Sequence, residues 1–153
     1  MNLIVSAKRP VKDIDYGFVG DIREINAPVI LELLSQNYLP VIAPLTHDRQ
    51  GNILNTNADT IAAEVAKALA FDREVRLIYC FEKKGVLQNE ANEDSLIPNL
   101  GLELYRQYKS DGIIQGGMIP KLDNAFQAIA SGVKEVIITR ATDVSAGKGT
   151  FIR

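Results

Sequence analysis

The chain has 153 residues, 46% of them hydrophobic and 24% charged, enough for one domain with a real core and unlike a disordered segment. Its 17 basic and 19 acidic residues leave a net charge of −2, so it carries no general field for nucleic acid or an anionic membrane, and any bound anion must be held by local groups. A single cysteine, Cys80, excludes a disulfide framework; no apolar run is long enough to span a membrane and "MNLIVSAKRP" is no secretory signal, so a soluble, cytoplasmic domain is expected.

In chain order, "DYGFVGDI" sets Gly17 and Gly20 among Tyr16, Phe18, Val19 and Ile22 and predicts a hairpin or bulged strand pair, a connecting segment over residues 1–25. "APVILELLSQ" after Asn26 reads as a helix, and "LPVIAPL", Leu39–Leu45, as a buried strand. His47, the only histidine, falls in "LTHDRQG" and is expected in an exposed turn. A second helix follows Asn57 in "ADTIAAEVAKALAF", and a buried strand follows in "VRLIYC", Val75–Cys80. "NEANEDS", Asn89–Ser95, reads as a solvated acidic loop, and "LGLELYRQY" as a third helix. The last helix runs through "LDNAFQAIASG", with Pro120 suited to its first turn and Gly132 to its end, before the strand "KEVIIT", Lys134–Thr139. Alternating strands and helices, with no repeat and no linker, predict a single α/β domain over 1–153, a three-layer sandwich with a largely parallel sheet. Ligands of such sheets bind beyond the carboxyl ends of strands, where loops enter helices.

Three junctions of that kind carry candidate chemistry. In "LNTNADT", Asn57 suits a helix cap and Asp59 the first turn, where an acid is stabilised by the helix dipole; alternatively Asn55 donates to a ligand and Asp59 holds a lysine in place. In "CFEKKGVL", Glu82, Lys83 and Lys84 precede the turn residue Gly85 at a strand's carboxyl end, which fits either a charged surface turn or a nucleotide loop. In "GIIQGGMIPK", Gly116 and Gly117 let backbone N–H groups approach a ligand, and Lys121 lies at the positive end of a helix, where a cation is mildly disfavoured unless an anion accepts it. A lysine snorkelling off an amphipathic helix would need no ligand. "GKGT" lacks the glycine spacing of a P-loop, and no histidine or cysteine cluster has metal-ligand spacing.

Together, "DYGFVGDI", "LPVIAPL…LNTNADTIAAEVAKAL", "GVL" and "GGMIPKLDNAFQAIASGVKEVII", with "GKGTFI" at the end, resemble the carboxyl-terminal half of the acetylglutamate kinases, within the amino-acid kinase family. The resemblance implies transfer of the γ-phosphoryl of ATP to the side-chain carboxylate of an N-acylated glutamate in arginine biosynthesis, with Mg2+ held mainly through the nucleotide phosphates. It implies that Lys121 stabilises the transferring phosphoryl group, that Asp59 organises catalytic lysines and that Asn55 contacts the acyl amino acid. Glu82, Lys83, Lys84, Gly85, Val86 and Leu87, with Ile113, Ile114, Gln115, Gly116, Gly117 and Met118, line the nucleotide site by the same resemblance. The partners it implies are small molecules, with homo-oligomers left open.

The sequence departs from the family in its "FEKKG" loop, where relatives carry Ser/Thr-Asp-Val, and in "ITRATDVSAGKG", where they carry Asp-Gly-Arg. The glycine-rich amino-terminal half of the family is absent, so the chain is expected to supply a nucleotide lobe that is inactive alone. Kinases of aspartate or carbamate are the neighbouring enzyme reading. A non-catalytic nucleotide-binding or interaction module derived from such a kinase is the alternative of a different class.

Overall fold

The computed structural model describes residues 2–153. Its contacts gather into two compact units, one up to Leu69 and the other Ala70–Arg153.

The first unit opens with β1 (Ile4–Lys8) and β2 (Gly20–Ile25), an antiparallel pair whose register slips between Val5 and Ser6. This is the bulged pair expected from "DYGFVGDI". Helix α1 (Ala27–Ser35) is capped by Asn26, whose side chain accepts the Val29 N–H at 3.4 Å. The strand expected over Leu39–Leu45 does not form; β3 covers only Leu45–His47. Pro40 and Pro44 have no N–H to give a ladder, and Leu39 and Val41 lie in solvent, 85% and 92% exposed. His47 corrects a second expectation: it ends a strand paired with Val5 instead of occupying an exposed turn. Its Nδ1 accepts the Arg49 N–H, and its Nε2 is buried without a hydrogen-bond partner among the described residues. β4 (Ile53–Asn55) completes the sheet in the order β2-β1-β3-β4, in which only β1 and β3 run parallel. Helix α2 (Ala58–Leu69) packs on β2 and α1, burying Ile61, Ala63 and Ala66.

The second unit has its own sheet, in the order β5-β7-β8-β6. β5 (Arg76–Phe81) and β7 (Glu135–Arg140) are parallel neighbours; β8 (Thr150–Ile152) runs antiparallel to β7 and parallel to β6 (Asn99–Leu100). The two sheets are therefore mixed, because short returning segments such as β4 and β8 pair antiparallel with their neighbours. β5 was expected to be a buried strand, yet only Leu77 and Tyr79 are buried, while Ile78 and Cys80 are exposed. The alternation means that this edge strand is covered on one face alone.

Helix α3 (Leu102–Ser110) meets α4 (Met118–Ala130) through Tyr105, stacked on Phe126 at 5.1 Å between ring centroids. The Tyr105 hydroxyl donates to Asp123 at 2.6 Å. α4 lays Leu122, Ala125 and Ala128 on β7 and β8 and stops at Gly132, whose φ of +97° few other residues tolerate. Val136, Ile138 and Ile152 complete a core from which water is excluded.

Candidate functional site

β5 ends at Phe81 and releases the chain into a loop whose course is set by one side chain of β8. Thr150, fully buried, accepts the Val86 N–H at 2.8 Å and donates to the Ile97 carbonyl at 2.7 Å. Gly85 passes so near this hydroxyl that a Cβ there would stand 2.6 Å from both Thr150 Oγ1 and Leu96 Cδ1. No larger residue fits without moving the loop.

This loop forms one wall of an open cavity of about 1020 Å³, and the turn leading into α4 forms the other. Glu82, Lys83, Gly85, Val86 and Leu87 line the first wall; Ile113, Ile114, Gln115, Gly116, Gly117, Met118 and Lys121 line the second. The size suits a ligand of nucleotide dimensions. Gly116 turns the chain with φ +55° in open space, and Gly117 caps α4 without a side-chain hydrogen bond. The first turn of α4 contains no acid; its Met118 and Ile119 N–H groups bond the Gln115 and Gly116 carbonyls and Pro120 has none, so Lys121, its fourth residue, supplies the positive charge at this end of the cavity. The Lys121 Nζ lies 5.9 Å from the ring centroid of Tyr79.

Of the expected nucleotide residues, Lys84 alone is missing from the lining. Its ammonium is drawn to Glu93 at 3.3 Å and Asp94 at 3.9 Å. Arg140, at the end of β7, also reaches Glu93 at 3.9 Å and Asp143 at 3.1 Å. Segment 89–95 is accordingly more than the solvated loop expected. It folds back through the Gln88 N–H on the Ser95 carbonyl, and its Asn89 and Glu90, with Gln88, extend the cavity wall. Phe81 and Gly112 were also missed; each borders an expected lining segment, which was the available signal. Among the described residues no group of three histidine, cysteine or acidic side chains is arranged to hold a metal ion.

Asn55 and Asp59 are built by the first unit. Asn55 ends β4 with its side chain exposed and its N–H on the Phe18 carbonyl at 2.8 Å. Asn57 Oδ1 accepts the Thr60 N–H at 2.9 Å, the expected cap, which leaves Asp59 in the first turn of α2.

Residues 3–140 match the amino acid kinase family, and the chain belongs to that family. It is similar to the acetylglutamate kinase of Parabacteroides distasonis, 59% identical over 152 residues that make up 99% of this chain and 60% of that protein. The acetylglutamate kinase of Methanopyrus kandleri is 35% identical, again over 99% of this chain and 62% of its own length. The chain thus spans about 60% of the length of these curated relatives. Among solved structures, a crystal structure from Streptococcus mutans superposes with a TM-score of 0.78 at 31% identity, covering 98% of this chain and 56% of that one. An N-acetylglutamate synthase from Neisseria gonorrhoeae, complexed with coenzyme A and N-acetyl-glutamate, shares the fold with a TM-score of 0.82 at 22% identity, over 99% of this chain and 36% of its own.

Proposed function

We propose that the cavity of the second unit binds MgATP and that this chain supplies the nucleotide-binding part of a kinase acting on the side-chain carboxylate of an N-acylated glutamate. The observation that carries the reading is Lys121, placed with Gly116 and Gly117 at the positive end of α4 and facing the cavity that the 82–90 loop encloses. The identity to acetylglutamate kinases supports the choice of substrate. In the reaction a carboxylate oxygen of the acylglutamate attacks the γ-phosphorus, the bond to the bridging oxygen breaks, and an acyl phosphate and ADP leave. A glutamate side chain, with an ordinary pKa near ~4.3, is already ionised at neutral pH, so no general base is required. The obstacle is the approach of one anion to another, and the protein's task is alignment and positive charge. Lys121, at the start of α4, supplies that charge at the transferring phosphoryl group.

Mg2+ is held mainly through the nucleotide phosphates in this reading. Asn55 contacts the acyl amino acid and Asp59 organises the cationic groups. The three-layer sandwich describes the kinase of full family length, and turnover is low without what the relatives carry beyond the shared span.

The test is calorimetric titration of the chain with MgADP and MgATP, beside Lys121→Ala. The parent binds both nucleotides, and the variant weakens MgATP by about tenfold, the value of one charge-assisted hydrogen bond, with MgADP little changed. A folded parent that binds neither nucleotide overturns the reading. Nucleotide binding without turnover, even with the rest of a related kinase supplied, favours the non-catalytic module.

A further inference from the structure

We propose that Tyr79 is a positioning residue for Lys121, its ring a shelf that holds the ammonium at the edge of the cavity. What the held ammonium serves rests on the nucleotide reading above; the contact itself does not. Tyr79 is 5% exposed and sits in β5, paired with the fully buried Ile138 of β7. A strand residue so enclosed has little freedom to move its ring. Lys121 lines the cavity, whereas Tyr79 stands outside the lining, with the ammonium 5.9 Å from its centroid. That distance lies inside the range in which a cation is attracted to the negative face of an aromatic ring.

The position calls for such a device. A lysine side chain has many rotamers, and the dipole of its own helix disfavours its charge at the first turn. A leucine at 79 would keep the position apolar, though smaller than the ring, and offer Nζ no aromatic face. An aromatic ring there favours the rotamers in which the ammonium waits where phosphate arrives, so less freedom remains to be lost on binding. Another lysine–ring contact of this unit, Lys109 over Tyr105, lies beside the carboxylate of Asp123 where α3 meets α4, outside the lining of this cavity.

The experiment uses the whole chain with 13C-labelled lysine ε-methylenes, the Lys121 signal being assigned by its loss in Lys121→Ala. In the parent, the ring current of Tyr79 moves the Lys121 signal away from those of solvent-exposed lysines. Tyr79→Phe keeps the shift, and Tyr79→Leu returns the signal to the common position. In parallel, Tyr79→Leu weakens MgATP by about threefold, Tyr79→Phe restores it, and MgADP changes in neither. If the Leu variant does not fold, a ring-fluorinated phenylalanine at 79 keeps the shape, drains the negative face and weakens MgATP alone. A Lys121 signal unmoved by Tyr79→Leu overturns the proposal, as does a Phe variant that loses as much as Leu or a fluorinated ring without effect. A parent that binds no nucleotide refutes the reading of the cavity instead, and the ring-current arm still decides the contact.

Discussion

Thr150→Val tests whether the cavity wall hangs on one hydroxyl. The threonine is 0% exposed, and it joins Val86, 1% exposed, to Ile97, 7% exposed. Valine fills nearly the same space but leaves a buried N–H and a buried carbonyl without this partner. Each orphaned group costs about 1–3 kcal/mol, and the added methyl returns less than about 1 kcal/mol. The two groups together cost about 2–6 kcal/mol, so the net loss is about 1–5 kcal/mol, which for a unit of this size lowers the melting temperature by roughly 4–8 °C per kcal/mol. Thr150→Ser, which keeps both bonds and loses a methyl, costs about 1 kcal/mol. Urea unfolding followed by circular dichroism measures the difference, and hydrogen exchange at the Val86 amide localises it, since this proton should exchange much faster in the Val variant. A Val variant within about 0.5 kcal/mol of the parent, with the Val86 amide still protected, would refute the reasoning.

Gly85→Ala should destabilise the second unit by about 1–3 kcal/mol and weaken MgADP as well as MgATP, because the 2.6 Å approaches to Leu96 and Thr150 force the loop outward; parent-like melting and titration curves would show that the loop yields freely. Burial, then the hydrogen bond to Asp123, hold the Tyr105 phenol above its ordinary 10.0, with Lys109 opposing. A raised folded value means that this contribution is intact below the unfolded pKa and is lost as pH rises through the folded one, because the unfolded chain releases its proton first. Urea midpoints should therefore fall from about pH 10 upward in the parent and less steeply in Tyr105→Phe, and identical alkaline slopes in the two proteins would contradict the assignment.

The helices were legible because their apolar residues repeat at helical spacing and asparagines stand where caps are needed, as at Asn26 and Asn57. β7 was legible as a β-branched run, and β5 as a short apolar run around Ile78. The failure at Leu39–Leu45 came from weighing apolar content above the two prolines, which remove the donors a strand must offer. β4 and β6, of three and two residues, carry no pattern long enough to read. Glu82, Lys83, Gly85, Gly116, Gly117 and Lys121 were picked out at two loop-to-helix junctions and the rest of the expected lining by the family resemblance, but the aim of Lys84 was not legible. It depends on Glu93 and Asp94, brought back by a fold of the 89–95 loop that no local spacing announces. The Thr150 bonds were equally hidden, since they join positions 64 and 53 residues apart.

The strand order of the second sheet has a consequence for how the chain is made. β5 has no partner until β7 emerges, and β6 has none until β8 does, so a growing chain exposes two unpaired strand edges for much of its synthesis. The loop at Gly85 finds its resting place only once Thr150 has been added. The wall of the cavity is early in the sequence and late in the folding, so a nascent chain meets the ribosome's surroundings without the site that a bound ligand could stabilise.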